Sequence, residues 1–510
     1  MDKLNRKYLI SNIDSLNQRI LLGPVCNFPV KVLQFGEGNF LRAFADWMIN
    51  VMNRQGLFKG NAVVLQGVAK GLEETINNQE GLYTVLLRGI DNSSSKICKE
   101  IVTCVDKCIN PYQRFDECLK YAASEELRVI ISNTTEAGIS YVPEDKLTDM
   151  PPSSFPAKLT VLLYRRYKTF GGDLSKGFII LPCELIDRNG DNLKSIIMQY
   201  CEDWGLEKQF IYWVENANYF LNTLVDRIVT GFPKDEIQNI YSELGYIDEL
   251  VVAGELFHLW VIEGDIKLSE EIPLHKAGLN VIWTHNLALY RERKVRILNG
   301  AHTMTALAAY LKGLDTVGDC LKDKLTEKFI LHGIYKEIIP TLSLTEKELQ
   351  SYADSVLERF ANPYVKHSLL SISLNSVSKF KTRVLPSLIS YMNKFRSIPK
   401  VLAFSFAALI VFYRGTDIKD GCLIGNRNGI EYSIMDDMTV LRFFSNIWIE
   451  FGDCVQSAKS IAAKVLSNIE MWGEDLCKYH GLVEEVSEWL INILENGVEK
   501  AMNDLMEKVQ

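Results

Sequence analysis

The chain has 510 residues, 47% of them apolar and 24% charged, which is material for two or three ordinary packed domains. A net charge of −8 argues against a nucleic-acid binder, which carries a basic stripe, but leaves room for a locally basic pocket. The first ten residues carry charges with no apolar stretch behind them, so no signal peptide is read. The longest strongly apolar run, 401–413, lies between Lys400 and Arg414. It falls short of the ~20 residues that span a bilayer, so it is read as a buried core helix and no membrane association is expected.

Taken in chain order, the first half alternates apolar strands and helices. Strand-like runs cover 31–35, 62–66, 127–131 and 177–181, and each leads into a glycine-containing or polar segment. Between 80 and 110 the pattern changes to a hairpin, 83–88 and 99–105, turning around Asp91-Asn-Ser-Ser-Ser95 and read as an antiparallel insertion or extension. Apolar strands alternating with helices predict a mostly parallel sheet covered on both faces, with ligands at the carboxyl ends of its strands. After about 280, past Ile272-Pro273, helical periodicity dominates: 286–311, 321–332, 346–360, 384–395, 402–412 and a helical tail over 441–508. The expected class is α/β, with a parallel-sheet domain over 1–280 and a mainly α-helical domain over 281–510.

Gly36-Glu-Gly38-Asn39-Phe40-Leu-Arg42 follows the first strand and opens a helix. That is where a dinucleotide pyrophosphate meets backbone N–H groups, although Leu41 replaces the third glycine of G-x-G-x-x-G. Arg42 faces either a phosphate or Asp46, one turn on. The second strand ends in Gln66-Gly-Val-Ala-Lys-Gly71, with no acid before Glu73, while Lys70 suits a 2′-phosphate; the cofactor choice stays open at this point. Ser132-Asn133-Thr134-Thr135-Glu136-Ala-Gly138 suits contacts to a nicotinamide and its ribose. It reads equally as a helix start capped by Thr134 or Thr135.

Lys294-Val-Arg-Ile-Leu-Asn299-Gly-Ala-His302 spaces an amine, a carboxamide and an imidazole by five and three residues. On an α-helix they share an arc of roughly 140°. A lysine drawn out of water can exchange protons near neutral pH, and an amide N–H beside it can polarise a carbonyl. Such a set suits ketone–alcohol interconversion, against the blander reading of a solvated face with a structural histidine. The seven histidines are dispersed and the eleven cysteines scattered. Cys98, Cys104 and Cys108 match no common zinc spacing, so no metal site is expected, and free thiols in a reducing cytoplasm are.

The K-x-x-x-x-N-x-x-H pattern resembles the active-site helix of the mannitol dehydrogenase family of polyol-specific long-chain dehydrogenases. The loop G-x-G-x-F-x-R is similar to that family's loop. The resemblance implies a Rossmann-like first domain that binds NAD, the lysine as acid/base, and the asparagine and histidine as its assistants. It makes Asn189, in Cys183-Glu-Leu-Ile-Asp-Arg-Asn189-Gly190, a second donor to the substrate oxygen; read bare, Asn189-Gly190 is only a turn. Val225-Asp226-Arg227-Ile228 is similar to the family's V-D-R-I, so Asp226 orients polar groups in the site or pairs structurally with Arg227. Arg359-Phe-Ala-Asn-Pro363 and Lys379 also match.

Where polyol members show an arginine and then D-G-S, this chain has Ser371-Ile-Ser-Leu-Asn-Ser-Val-Ser378. That departure, with Val365-Lys-His-Ser368, Lys379-Phe-Lys-Thr-Arg-Val-Leu-Pro386, Phe155-Pro-Ala-Lys-Leu159 and Glu255-Leu-Phe-His-Leu-Trp-Val-Ile-Glu263, resembles the members that reduce uronates. The implied substrate is a small sugar acid, and Lys379, Lys366, Arg383 and His258 are the candidates for its carboxylate. Relatives acting on plain or phosphorylated polyols are the near alternative. A non-catalytic dinucleotide sensor is the distant one, and it has no need of a proton donor. Oligomeric state is not legible in the sequence.

Overall fold

The apolar runs of the first half are strands of one sheet. In this computed structural model, which describes residues 1–509 except 92–93, 136 and 452–454, they are β1 (Val30–Phe35), β2 (Asn61–Leu65), β3 (Val105–Ile109), β4 (Val129–Ser132), β5 (Ile179–Pro182) and β6 (Tyr219–Phe220). All neighbours are parallel, in the order β3-β2-β1-β4-β5-β6. This is the doubly wound order of dinucleotide-binding folds, whose ligand crevice opens beside the first strand, where the order reverses.

The strands are mostly apolar because both faces are covered. Leu33, Val63, Ile130 and Ile180 pack on one face, with the helix Phe155–Thr169 supplying Leu159 and Leu163. Val32, Val64, Ile131 and Ile179 pack on the other, with Phe44, Met48 and Met52 from the helical run that follows β1.

The hairpin Tyr83–Asp91/Ser94–Val102 is antiparallel, with Tyr83 opposite Val102. It belongs to a second, five-stranded sheet with Leu21–Leu22, Val252–Glu255 and Val229–Gly231, and so is an insertion. The run read as one strand over 99–105 breaks at Thr103, where the Thr103 N–H is held by Asn50 Oδ1 at 3.0 Å. Val105 then starts β3.

Two compact units result, Met1–Leu287 and Ala288–Gln510. The second is built on the helix Lys400–Phe412, buried from Val401 to Phe412, which packs against Gly300–Lys312 and Leu482–Lys508. Truncating Phe404 here to alanine costs about 3–5 kcal/mol. The sequence reading missed a three-stranded antiparallel sheet, Ile418–Lys419, Cys422–Arg427 and Ile430–Ile434. Its tight turn at Asn428-Gly429 is a hairpin signal, hidden between two strongly helical stretches. Among the described residues the helical tail divides into Met438–Phe451, Ala458–Leu466, Ile469–Trp472 and Leu482–Lys508, the last broken by a kink at Gly497. Among the described residues, no helix is long and apolar enough to cross a membrane.

Candidate functional site

β1 ends in Phe35, buried against Phe155 with ring centroids 4.8 Å apart. Gly36 follows at φ +118°, and a Cβ there would stand 2.9 Å from the Asn133 carbonyl oxygen, so only glycine fits. Gly38 caps the helical run Asn39–Arg54, whose first N–H groups have no intrahelical partner. A pyrophosphate fits this place: the backbone is bare and the helix end carries partial positive charge. Phe40 stacks on Phe44 at 4.9 Å and anchors the first turn.

Arg42 needs correction. It is 3% exposed and turned inward, its Nη1 donating to Leu250 O at 2.6 Å and its Nη2 to Asn39 Oδ1 at 2.7 Å, with the guanidinium 5.2 Å from the Tyr83 ring centroid. Burial keeps it from serving as a phosphate arm, so it braces the loop from beneath. Asp46 accepts the Tyr83 hydroxyl at 2.8 Å, and burial pushes its pKa up to about 6.

Among the described residues of 132–138, none starts a helix. Thr134 donates its N–H and its hydroxyl to Glu184 Oε1, each at 2.9 Å, and Ser132 donates to Glu184 Oε2 at 3.0 Å. The next helix begins at Phe155, capped by Ser154. Asn133 Nδ2 donates to Cys183 O at 2.8 Å. Thr135, exposed and β-branched, sits at φ +97°, a strained conformation of the kind that clusters at ligand-binding loops. Glu136 lies outside the described residues.

Glu184 and Lys158 were missed by sequence reasoning. Glu184 is buried, which raises its pKa, and it ties the end of β4 to that of β5. Lys158 lines a cleft of about 250 Å³ with Gly36, Gln66, Gly67 and Thr134. It donates to Ser153 O at 2.6 Å, and burial lowers its pKa to about 8. A lysine one turn into a helix gives no sign in sequence that it faces a cleft.

Asn189 also needs correction. Its Nδ2 donates to the carbonyls of Pro182 (2.9 Å), Glu184 (3.1 Å) and Thr223 (3.1 Å), while Oδ1 accepts from Gly190 N (2.9 Å) and Thr223 N (2.8 Å). The carboxamide is committed to pinning the turn after β5 to the strand Asn222–Asp226, so it does not serve as a donor to a substrate oxygen. Asp226 is buried at that strand's end. Its neighbour Arg227 donates to Ala43 O at 2.6 Å and stacks 4.2 Å over Trp47. His258 is no carboxylate anchor: its Nε2 accepts the Asn280 N–H at 3.0 Å, and burial, with Arg227 nearby, lowers its pKa to about 3.

In the second unit, Lys294–Asn299 forms a π-helical turn continuing into Gly300–Lys312. Bonds reaching to i+5 bring Asn299 nearly above Lys294, closer than the α-helical arc read from the spacing. Both side chains are partly exposed. One turn on, His302 stacks on Phe360 at 4.3 Å and meets His367 edge-on at 5.0 Å.

Around His302 gather His367, Arg359, Arg383 and Lys379; burial first, then these neighbours, hold its pKa well below the usual value, and burial lowers that of His367 as well. Lys379 Nζ donates to Ile372 O at 2.9 Å. Arg383 lies one turn later on the helix Ser376–Arg383, whose last carbonyl passes 3.1 Å from the Cβ position of Gly300. Burial lowers the pKa of Arg383, and among the described residues no acid offsets it. The acid that acts on Lys379 is Asp436, which also takes the Tyr413 hydroxyl. Lys366 is exposed. Among the described residues, no group of three or more His, Cys, Asp and Glu side chains is placed to hold a metal ion.

The mannitol dehydrogenase Rossmann domain family matches residues 30–276, and the mannitol dehydrogenase C-terminal domain family matches 286–494. The chain is 43% identical over 492 residues to an altronate oxidoreductase of Escherichia coli, covering 96% of this chain and 99% of the relative. An altronate oxidoreductase of Shigella flexneri matches at the same identity and coverage. Of solved structures, a D-sorbitol dehydrogenase in substrate-free form is similar with TM-score 0.79 at 20% identity, covering 98% of this chain and 100% of that one. A Pseudomonas fluorescens mannitol 2-dehydrogenase, in a ternary complex with NAD and D-mannitol, is similar with TM-score 0.67 at 19% identity, covering 99% and 100%. At these identities the two structures speak for the fold.

Proposed function

The chain belongs to the mannitol dehydrogenase family, and from that premise we propose that it is an NAD-dependent oxidoreductase interconverting the ketone of a sugar acid and the corresponding alcohol, D-tagaturonate and D-altronate. The observation that carries the substrate class is the placing of the cations Lys379 and Arg383 about His302. A neutral polyol gives such a cluster nothing to neutralise, and a carboxylate does. The altronate oxidoreductase relatives support the same choice.

The loop from Phe35 through Phe40, with Asn133, Thr134 and Thr135, holds the cofactor, and Glu136 belongs to the same segment. NAD supplies the hydride in reduction and takes it in oxidation. Lys294 gives a proton to the substrate oxygen in reduction and recovers it in oxidation. Asn299, brought above Lys294 by the π turn, donates its amide N–H to that oxygen. His302 stays neutral and orients a neighbouring hydroxyl, while Lys379 and Arg383 take the carboxylate. Asp226 is assigned to a substrate hydroxyl. The mechanism needs no metal, and the reading places the enzyme in the cytoplasm with its cofactor pool.

The test is NADH consumption with D-tagaturonate, D-fructuronate, D-fructose and fructose phosphate. D-Tagaturonate is the fastest substrate on this reading. A clear preference for fructose or its phosphate would overturn it.

A further inference from the structure

The end of β2 has no acid of its own, yet the structure puts one there. Dinucleotide folds use a carboxylate at this place to accept the hydroxyls of the adenosine ribose, and its charge disfavours a 2′-phosphate. Gln66-Gly-Val-Ala-Lys-Gly71 contains none. The first acid after it, Glu73, is drawn into an ion pair with Arg114. Its backbone N–H is held by Gln66 Oε1 at 2.9 Å, and Gln66 Nε2 donates to Val68 O at 2.8 Å. Gln66 is thus occupied in folding the 66–73 loop.

Glu37, between the two glycines of the β1 loop, reaches across instead. Its Oε2 accepts the Gly67 N–H at 2.8 Å, and its Oε1 lies 2.2 Å from where a Cβ on Gly71 would stand. Gly71 therefore leaves room for this carboxylate. Glu37 is only 8% exposed, so its position is fixed by packing. The two residues flanking the bridge, Gly36 and Gly67, line the same cleft. A carboxylate has about four lone-pair sites. Among the described residues one is used, on Gly67, and the rest face hydroxyls of a ligand.

We propose that Glu37 is the acceptor of the adenosine ribose 2′-hydroxyl and the residue that excludes NADP. The carboxylate comes from the glycine loop and not from the second strand. Lys70, exposed in the facing loop, would otherwise favour a 2′-phosphate, so the charge on Glu37 decides between the two cofactors. This rests on the reading of the first unit as the NAD site.

The test is fluorescence titration of NADH and NADPH onto the purified protein without substrate, for wild type, Glu37→Gln and Gly71→Ala. Glutamine keeps an oxygen for the Gly67 N–H and loses only the charge, so the loop stays folded. Gly71→Ala pushes the carboxylate away while leaving it charged. Wild type should prefer NADH. Glu37→Gln should shrink that preference by about 10- to 100-fold, the worth of a charge-assisted hydrogen bond. Gly71→Ala should move it in the same direction and stand in if the first variant fails to fold. An unchanged NADH/NADPH ratio in the folded variants, or a wild type that binds both equally, would overturn the proposal while leaving nicotinamide dependence intact. Failure of wild type to bind either nucleotide would sink the broader reading with it.

Discussion

Arg383→Gln should weaken the protein's hold on an anionic substrate far more than on a neutral one. The guanidinium sits at the end of the helix Ser376–Arg383, partly buried, and among the described residues no acid offsets that burial. It acts electrostatically on Lys379, a cation, and on His302, which burial holds neutral. The cost of holding a cation there is recovered only when an anion arrives. A hydrogen bond to a charged group contributes about 1.5–3 kcal/mol, which is about 10- to 150-fold in kcat/KM. Glutamine is shorter and neutral but keeps an N–H, so the loss should fall inside that range and appear mainly in KM. For fructose, which brings no charge, the change should stay within about threefold. Steady-state NADH consumption with D-tagaturonate and D-fructose, wild type against variant, measures both. An equal loss for the two substrates, or none for either, would refute the anchor.

Two further substitutions test the corrections. Asn189→Ala removes a buried carboxamide bonded to five backbone groups, and leaving such groups unpaired should cost about 2–4 kcal/mol. Urea unfolding reads this; full stability with lost turnover would return Asn189 to the substrate oxygen. Asp46 has a folded pKa of about 6 against about 3.9 unfolded. Between those values the folded chain holds more protons, so stability falls as pH rises from about 4 to about 6. Asp46→Asn should flatten that part of the stability–pH curve, and an undiminished slope in the variant would assign it to another group.

The parallel sheet was legible because strands buried on both faces read as short, mostly apolar runs, as in Val30–Phe35 and Ile179–Pro182. The glycine loop was legible because Gly36 answers a backbone demand that no side chain can meet. Directions of side chains were not. Arg42 turns inward because Leu250, 208 residues away, offers a carbonyl, and nothing near Arg42 in the chain announces that. Glu184 and Glu37 act on backbone groups 50 and 30 residues away. The π turn at Lys294–Asn299 shifts the hydrogen-bond register without altering the apolar pattern, so the spacing was read on an α-helical geometry that this segment does not have. The sheet of 418–434 was lost because its strands are short and flanked by helices.

The most direct test of the central claim is NADH formation from D-altronate and NAD by chelator-treated wild type and by Lys294→Ala. General acid–base catalysis supplies about 10²–10⁴-fold, so the account predicts a wild type that keeps its activity after chelation and a variant whose kcat falls by that factor or more. Binding of NADH should be retained in the variant, because the cofactor loop lies in the first unit. A wild type inert toward altronate, activity lost to the chelator and restored by zinc, or a Lys294→Ala variant with near-normal kcat would contradict it.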